Sequence, residues 1–264
     1  MPAISRPQNR RAVGRCPTVA AVVAGLLWPS AAALGEHYSF IHYGPNEGLN
    51  AAVKQVVQDG VGFLWVGTSN GLFRYDGEHF QRFGPAEGLP STSIRALHKA
   101  ADGTIWSITG RGLAHFEGER FQTVDTGVPP DSLGAAMDSA GNGQLFVASQ
   151  AGVLIGSREG VDGRYAFRLL HDAPNMPVSG VYAEPDGTLW FGCGRELCQS
   201  ARGKVRVFGK KEGIPPDRWS AMLRDRQGTL CPTWSLLRKS TVVHFRTTKT
   251  CGMNERCFWS STTD

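Results

Sequence analysis

A pattern that recurs about every 41 residues constrains the fold of this 264-residue chain more than any other feature. Each copy contains a turn, a short apolar segment with one large aromatic residue at its centre, and a second turn that contains glycine. The central aromatic residues are Trp65, Trp106, Phe146 and Trp190, at intervals of 41, 40 and 44 residues. A fifth copy begins at Asp225, but Cys231 stands where the next aromatic residue is due. Regular repetition at this period is typical of proteins that place one small structural unit after another.

A second marker repeats in step with the first and points to the kind of unit. Segments similar to Gly-Leu-Pro occur at residues 48–50, 88–90, 127–129, 175–177 and 213–215. Asp-Gly turns separate short apolar segments, and no segment keeps a helical apolar period over ten residues. About four short strands in about 41 residues are typical of a β-propeller blade. The sequence therefore predicts an all-β fold: an incomplete β-propeller of four four-stranded blades plus part of a fifth, with the central aromatic residues packed between neighbouring blades.

Residues 1–33 have the composition of a secretory signal peptide. They carry four arginines and no acidic residue, then an apolar run, then three alanines at positions 31–33. The apolar run is shorter than the roughly 20 residues that a membrane-spanning helix needs. We expect cleavage near Ala33 and Leu34, and a mature chain in the periplasm or outside a bacterial cell. The alternative is an uncleaved signal anchor; after residue 34 the sequence has no second hydrophobic span.

Residues 231–264 differ from the repeats in composition. They hold five basic residues, two acidic residues and three of the six cysteines. We expect this atypical tail to be disordered or to result from a frameshift or gene-model error; the alternative is a divergent ending that closes the last blade. Residues 34–230 hold 19 basic and 21 acidic residues, a net charge of −2. The total of +5 therefore gives no support to nucleic-acid binding, which requires a concentrated basic surface.

The first clear copy of the repeat resembles the repeat of a known family. Residues 59–77 read D-G-V-G-F-L-W-V-G-T-S-N-G-L-F-R-Y-D-G, and a Phe and a Gly-Leu-Pro segment follow. This pattern is similar to the two-component regulator propeller repeat, and the resemblance covers roughly residues 36–230. It implies an extracytoplasmic ligand-sensing propeller of a two-component signal transduction protein, and hybrid members of that family sense glycans. Relatives usually continue into a β-sandwich, a membrane span and a histidine kinase, or in other members a diguanylate cyclase.

Two functions remain open for this chain. One is the sensing of an oligosaccharide or another periplasmic ligand, and the alternative is a protein-interaction scaffold with no small-molecule ligand. The sequence contains neither a kinase-like dimerisation helix nor a nucleotide-binding motif, so we expect no catalysis, cofactor or metal site in it. We interpret Asp59, Asp102, Asp186 and Asp225 as turn residues. Blades without a neighbour leave sheet faces and edges uncovered, so we also expect self-association.

Two kinds of candidate residue occur within the repeats. Cys193 and Cys198 flank the hairpin turn of the fourth copy, where cross-strand neighbours lie within reach of a disulfide. An oxidising compartment favours that bond, and two buried free thiols are the alternative. Five residues in or near the predicted blade connections are candidates for contact with a polar or sugar ligand: Arg74, Tyr75, Arg111, Arg195 and Trp219. A packing or surface role is the alternative for each of them.

Overall fold

The computed structural model of the chain describes residues 41–160, 163–224 and 230–232. These ranges consist almost entirely of β-strands joined by short turns. No helix within them is long and apolar enough to cross a membrane.

Packing divides the chain into two units, Met1–His42 and Tyr43–Asp264. Every described strand belongs to the second unit. The predicted signal peptide, with its cleavage site near Ala33 and Leu34, lies outside the described residues, and so does the tail beyond residue 232.

The described chain forms strands of three to eight residues. In chain order they are β1 (Val53–Gln58), β2 (Leu64–Thr68), β3 (Gly71–Tyr75), β4 (Phe80–Phe83), β5 (Ile94–Lys99), β6 (Ile105–Thr109), β7 (Gly112–Glu117), β8 (Arg120–Val124), β9 (Leu133–Ser139), β10 (Leu145–Ser149), β11 (Gly152–Glu159), β12 (Arg164–Leu169), β13 (Val178–Ala183), β14 (Leu189–Cys193), β15 (Glu196–Ala201), β16 (Lys204–Phe208), β17 (Met222–Arg224) and β18 (Leu230–Pro232). Single 3-10 turns precede some of them, at Pro45–Glu47, Pro85–Glu87, Pro130–Ser132 and Lys210–Glu212.

Four sheets each contain four consecutive strands, and neighbouring strands in every sheet are antiparallel. We call them blade 1 (β1–β4), blade 2 (β5–β8), blade 3 (β9–β12) and blade 4 (β13–β16). Strands β17 and β18 pair as a hairpin, which is the described part of a fifth unit. The simple up-and-down order and the blade count confirm the prediction of four-stranded blades with an incomplete fifth.

The central aromatic residue of each repeat lies on the second strand of its blade and packs against the following unit. The Trp65 ring lies 4.8 Å from the Phe116 ring of blade 2, measured between ring centroids. The Trp106 ring lies 4.5 Å from the Tyr165 ring of blade 3, edge to face. Phe146 joins a cluster with blade 4, and Trp190 joins one with the residues that follow blade 4. The hydrophobic core is therefore a series of layers between blades.

The turn between β1 and β2 shows how an aspartate supports this packing. The Asp59 carboxylate accepts backbone hydrogen bonds from residues 61, 62 and 63, at 2.9 to 3.0 Å. Its second oxygen accepts a hydrogen bond from Trp65 Nε1 at 2.9 Å, which orients the indole ring. Burial raises the pKa of Asp59, but these hydrogen bonds to the charged form outweigh it and the pKa is lowered. Asp102 and Asp186 each accept one backbone bond, so the interpretation as turn residues is confirmed for Asp59, Asp102 and Asp186. Asp225 lies outside the described residues.

A glutamate closes three of the connectors between units. The Gly84 N–H donates to the Glu87 carboxylate at 2.7 Å, and the Leu89 N–H donates to the Gly84 carbonyl at 3.1 Å. The same bonds recur at Glu47 and at Glu212. The apolar residue that follows the turn is buried at Leu89 and Ile214 and half-buried at Leu49. This clamp fixes the path of the chain from one unit to the next.

We expect a change of Gly88 to alanine to destabilise the fold strongly. Gly88 has φ of +90°, and an added Cβ would lie 2.0 Å from the Phe121 carbonyl oxygen, which is backbone and cannot rotate away. The strain of alanine in a left-handed backbone conformation and the steric overlap of its Cβ should together lower the free energy of unfolding by about 3 kcal/mol. Gly103→Ala is the matched control, because Gly103 has φ of +86° and nothing within 4 Å of the added atom. Urea denaturation checks this, and equal losses in both variants would contradict it.

Candidate functional site

The turns of each blade alternate between two faces, because consecutive strands run in opposite directions. The turn between the second and third strands lies on the same face as the connector that enters the blade. Hydrogen bonds show this directly: the Gly110 N–H donates to Ser93 O at 3.0 Å, and the Gln150 N–H donates to Ser132 O at 2.8 Å. We call this the connector face. Loops on such a face can vary without disturbing the interior, so ligand sites are expected there.

A buried hydroxyl bridges the turn between the second and third strands in blades 1, 2 and 3. In blade 1 the Thr68 hydroxyl donates to Gly71 O at 2.8 Å and accepts from the Asn70 N–H at 3.0 Å. Thr109 and Ser149 make the same two bonds in their blades. A side chain at this position therefore closes the turn and keeps its backbone in place.

Blade 4 has Cys193 at this position, and a disulfide to Cys198 replaces the hydroxyl bridge. The two sulfur atoms are 2.00 Å apart and the two Cα atoms are 5.9 Å apart. Cys193 pairs with Glu196 and Cys198 with Phe191, so the cysteines are diagonal rather than directly opposite. Both side chains are buried. The bond links β14 to β15 beside the connector face.

A cavity of about 620 Å³ opens on the connector face of blade 4. Arg195, Lys210 and Lys211 line it, together with the disulfide-bonded Cys193. Its further lining residues are Met176, Gly194, Glu196, Val207, Gly209, Glu212, Ile214 and Pro216. The volume lies within the range of small-molecule sites, roughly 300 to 1,000 Å³.

The walls of this cavity are held by hydrogen bonds that leave its cations available. Arg195 donates from Nη2 to the Pro216 carbonyl at 3.2 Å and accepts at its own carbonyl from the Asp217 N–H at 3.0 Å. Glu212 accepts from the Gly209 N–H at 2.8 Å, as part of the connector clamp. Within the described ranges, no carboxylate lies at ion-pair distance from Arg195, Lys210 or Lys211. The cavity can therefore receive a ligand that accepts hydrogen bonds or carries negative charge.

The structure distributes the five predicted ligand-contact residues over three environments. Arg111 and Arg195 lie in turns on the connector face and are exposed. Arg74 and Tyr75 lie at the end of β3 that is away from the connector face. Trp219 is 1% exposed and packs with Trp190, so the prediction that it reaches a ligand is wrong. Its ring belongs to the hydrophobic cluster beside blade 4.

Arg74 and Tyr75 are engaged by their own blade. The Arg74 guanidinium lies 4.9 Å from the centroid of the Phe63 ring and donates to Gln81 at 2.6 Å. The Tyr75 hydroxyl donates to the Gly77 carbonyl at 2.6 Å and lies 3.0 Å from the Tyr43 hydroxyl. The hydrogen bond with Tyr43 raises the pKa of Tyr75 to about 12. These contacts give both residues a packing role, and the structure does not bring them near Arg111 or Arg195.

Sequence reasoning missed the two lysines of the cavity. Lys210 and Lys211 occupy the positions that Pro85 and Ala86 have in an otherwise identical connector pattern, Phe-Gly-x-x-Glu-Gly. Aligning the connectors with one another would have revealed this local change of charge. No group of three or more His, Cys, Asp or Glu side chains in the described ranges is arranged to hold a metal ion.

Comparison with known proteins identifies the fold. The chain is similar to the extracellular domain of a hybrid two-component system from B. thetaiotaomicron, with a TM-score of 0.58 and 14% identity over 86% of this chain and 34% of that one. It is also similar to the extracellular domain of a one-component system from the same organism, with a TM-score of 0.55 and 18% identity over 68% of this chain and 28% of that one. The fold is that of a β-propeller. The chain spans about a third or less of the length of these two structures.

Enzymes share the same fold. A gluconolactonase from Xanthomonas campestris is similar with a TM-score of 0.53 and 15% identity, over 69% of each chain. A scan against protein-family models gives no match, and a search of curated proteins gives none either. At these identities the likeness establishes the propeller fold alone, and the function must be argued from the site.

We expect loss of the disulfide to weaken blade 4. Cys198→Ala should lower the free energy of unfolding by about 2 kcal/mol, because a short cross-link restricts the unfolded chain. Adding Cys193→Thr to that variant should recover about 1 kcal/mol, since the introduced hydroxyl can bridge the turn as Thr68 and Thr109 do. Urea denaturation with and without a dithiol measures both effects. An unchanged midpoint in Cys198→Ala would show that the bond does not stabilise the blade.

Proposed function

We propose that this chain is the ligand-binding propeller of an extracytoplasmic sensor in two-component signal transduction. The cavity on the connector face of blade 4 carries the proposal. It combines about 620 Å³ of volume with three basic side chains held on a disulfide-linked hairpin and a clamped connector. The fold likeness to extracellular domains of bacterial signalling systems supports the same role.

An oligosaccharide is the proposed ligand, bound outside the cytoplasm. Arg195 and the two lysines can donate hydrogen bonds to sugar hydroxyl or carboxylate oxygens, and Met176 with the exposed Val207 offers apolar surface to a sugar ring. The proposal assigns binding to this chain and no catalytic step. Transmission of the signal belongs to a longer protein or to a partner.

Titration calorimetry of the chain against a panel of neutral and acidic oligosaccharides tests the proposal. At least one oligosaccharide should bind, and Arg195→Gln should weaken its binding at least fivefold through loss of a charged donor. Lys204→Gln is the matched control, because Lys204 is an exposed cation of blade 4 that lies outside the cavity. Absence of binding across the panel, or equal binding by Arg195→Gln, would contradict the sensor assignment.

A second candidate function is a scaffold that associates through blade 1. Strand β1 has no blade before it in the described chain, and Val53 and Val56 are 48% and 51% exposed. The first strands of blades 2, 3 and 4 face a preceding blade and are more buried. Apolar exposure on a strand of this kind favours pairing with another copy of the chain.

Light scattering coupled to size-exclusion chromatography tests the scaffold function. The chain should elute above its monomer mass, and Val53→Thr combined with Val56→Thr should shift it toward monomer. Val61→Thr is the control, since Val61 is 83% exposed but lies in a turn rather than on the strand. A chain that stays monomeric over a hundredfold range of concentration would rule the scaffold function out.

A further inference from the structure

A second cavity, of about 480 Å³, lies between the outer strands of blades 2 and 3. Its two walls carry opposite charges. Glu117 and Asp125 stand on the blade 2 side, whereas Arg158 and Arg164 stand on the blade 3 side. We call it the interblade cleft. It is remote in sequence from the blade 4 cavity and shares no lining residue with it.

The opposite walls neutralise each other only in part. Arg158 Nη2 lies 3.8 Å from a carboxylate oxygen of Asp102, in the turn between β5 and β6 of blade 2. On its own side, Arg158 Nε donates to the Tyr165 hydroxyl at 3.0 Å, and its guanidinium lies 4.9 Å from the Tyr165 ring centroid. In the described part of the chain, no ion pair involves Glu117, Asp125 or Arg164, so the cleft keeps charges of both signs facing one space.

The inner end of the cleft is a histidine packed between aromatic rings. His115 is 8% exposed, and its ring centroid lies 4.9 Å from Trp106 and 5.2 Å from Tyr165. Burial lowers the pKa of His115, so its imidazole is neutral at pH 7. Its Nδ1 atom has no hydrogen-bond partner among the described residues. A buried polar atom of this kind is uncommon, and it marks the cleft as more than a solvated surface.

Blade 2 differs from blades 1 and 4 at its central tryptophan, Trp106, which packs against the His115 ring of the cleft. In blades 1 and 4 the indole N–H of the central tryptophan donates to an acidic residue six positions earlier: Trp65 to Asp59 at 2.9 Å, and Trp190 to Glu184 at 3.2 Å. The corresponding position in blade 2 is Ala100, and Trp106 Nε1 has no partner in the described chain. The departure falls in the blade whose outer wall forms the cleft.

We propose that the interblade cleft binds a free α-amino acid as its zwitterion. The carboxylate would face Arg158 and Arg164, and the ammonium group would face Glu117 and Asp125. A simple anion would meet two carboxylates and a simple cation two guanidinium groups, whereas a zwitterion matches both walls at once. The volume accommodates an amino acid with its side chain over Tyr165 and Val124.

Calorimetric titration of the full chain with each of the twenty common L-amino acids tests the proposal. At least one should bind with Kd below about 1 mM, equivalent to about 4 kcal/mol. The N-acetyl derivative and the amide of the best ligand each lack one charge, and each should bind at least tenfold more weakly. If no amino acid binds, or if either derivative binds as well as its parent, the proposal fails.

Two variants locate the site. Arg164→Gln and Glu117→Gln should each weaken binding at least tenfold, and both residues are exposed, so the fold should tolerate the changes. Lys204→Gln in blade 4 is the control and should bind normally. Circular dichroism and the Tm check that each variant is folded. Normal binding by either cleft variant would overturn the assignment. Because this cleft is distinct from the blade 4 cavity, the result does not depend on the oligosaccharide titration.

Discussion

The packing of one aromatic ring across each blade boundary is the interaction on which the rest of this structure depends. A single four-stranded sheet has two faces and cannot cover either by itself. The second strand of each blade supplies a large ring that reaches the next unit, as Trp65 reaches Phe116 and Trp106 reaches Tyr165. Burial of such a side chain removes about 150 to 250 Å² from water, which is worth about 4 to 6 kcal/mol as an upper value.

Because the packing between blades does not involve the turns, the sequences of the turns can differ from blade to blade. Both candidate sites occur where one blade differs from the others. Blade 4 replaces the bridging hydroxyl by Cys193 and places Lys210 and Lys211 in its following connector. Blade 2 keeps its tryptophan but has Ala100 where blades 1 and 4 have an acceptor. In a repeat protein, a local difference that the shared packing does not require is a reason to look for a specific function at that place.

The sequence was sufficient to predict the strands, because alternating apolar residues and Asp-Gly turns act within a few positions of one another. It was insufficient for side chains whose surroundings come from distant segments. Trp219 looked like a loop aromatic, but contacts with Trp190 bury it. Arg74 looked like a ligand contact, yet rings of blades 1 and 2 lie within 6.0 Å of its guanidinium. The cavity beside Arg195 depends on residues about fifteen positions later, so no local pattern could reveal it.

The up-and-down order of the strands has a consequence for how the chain acquires its structure. All four strands of each described blade come from one continuous stretch of 31 to 37 residues, so their pairing needs no distant segment. Contacts that are close in sequence form quickly, because little chain entropy is lost in bringing them together. A blade can therefore form while later blades are still being synthesised. Each folded blade then offers an aromatic surface against which the next blade can pack.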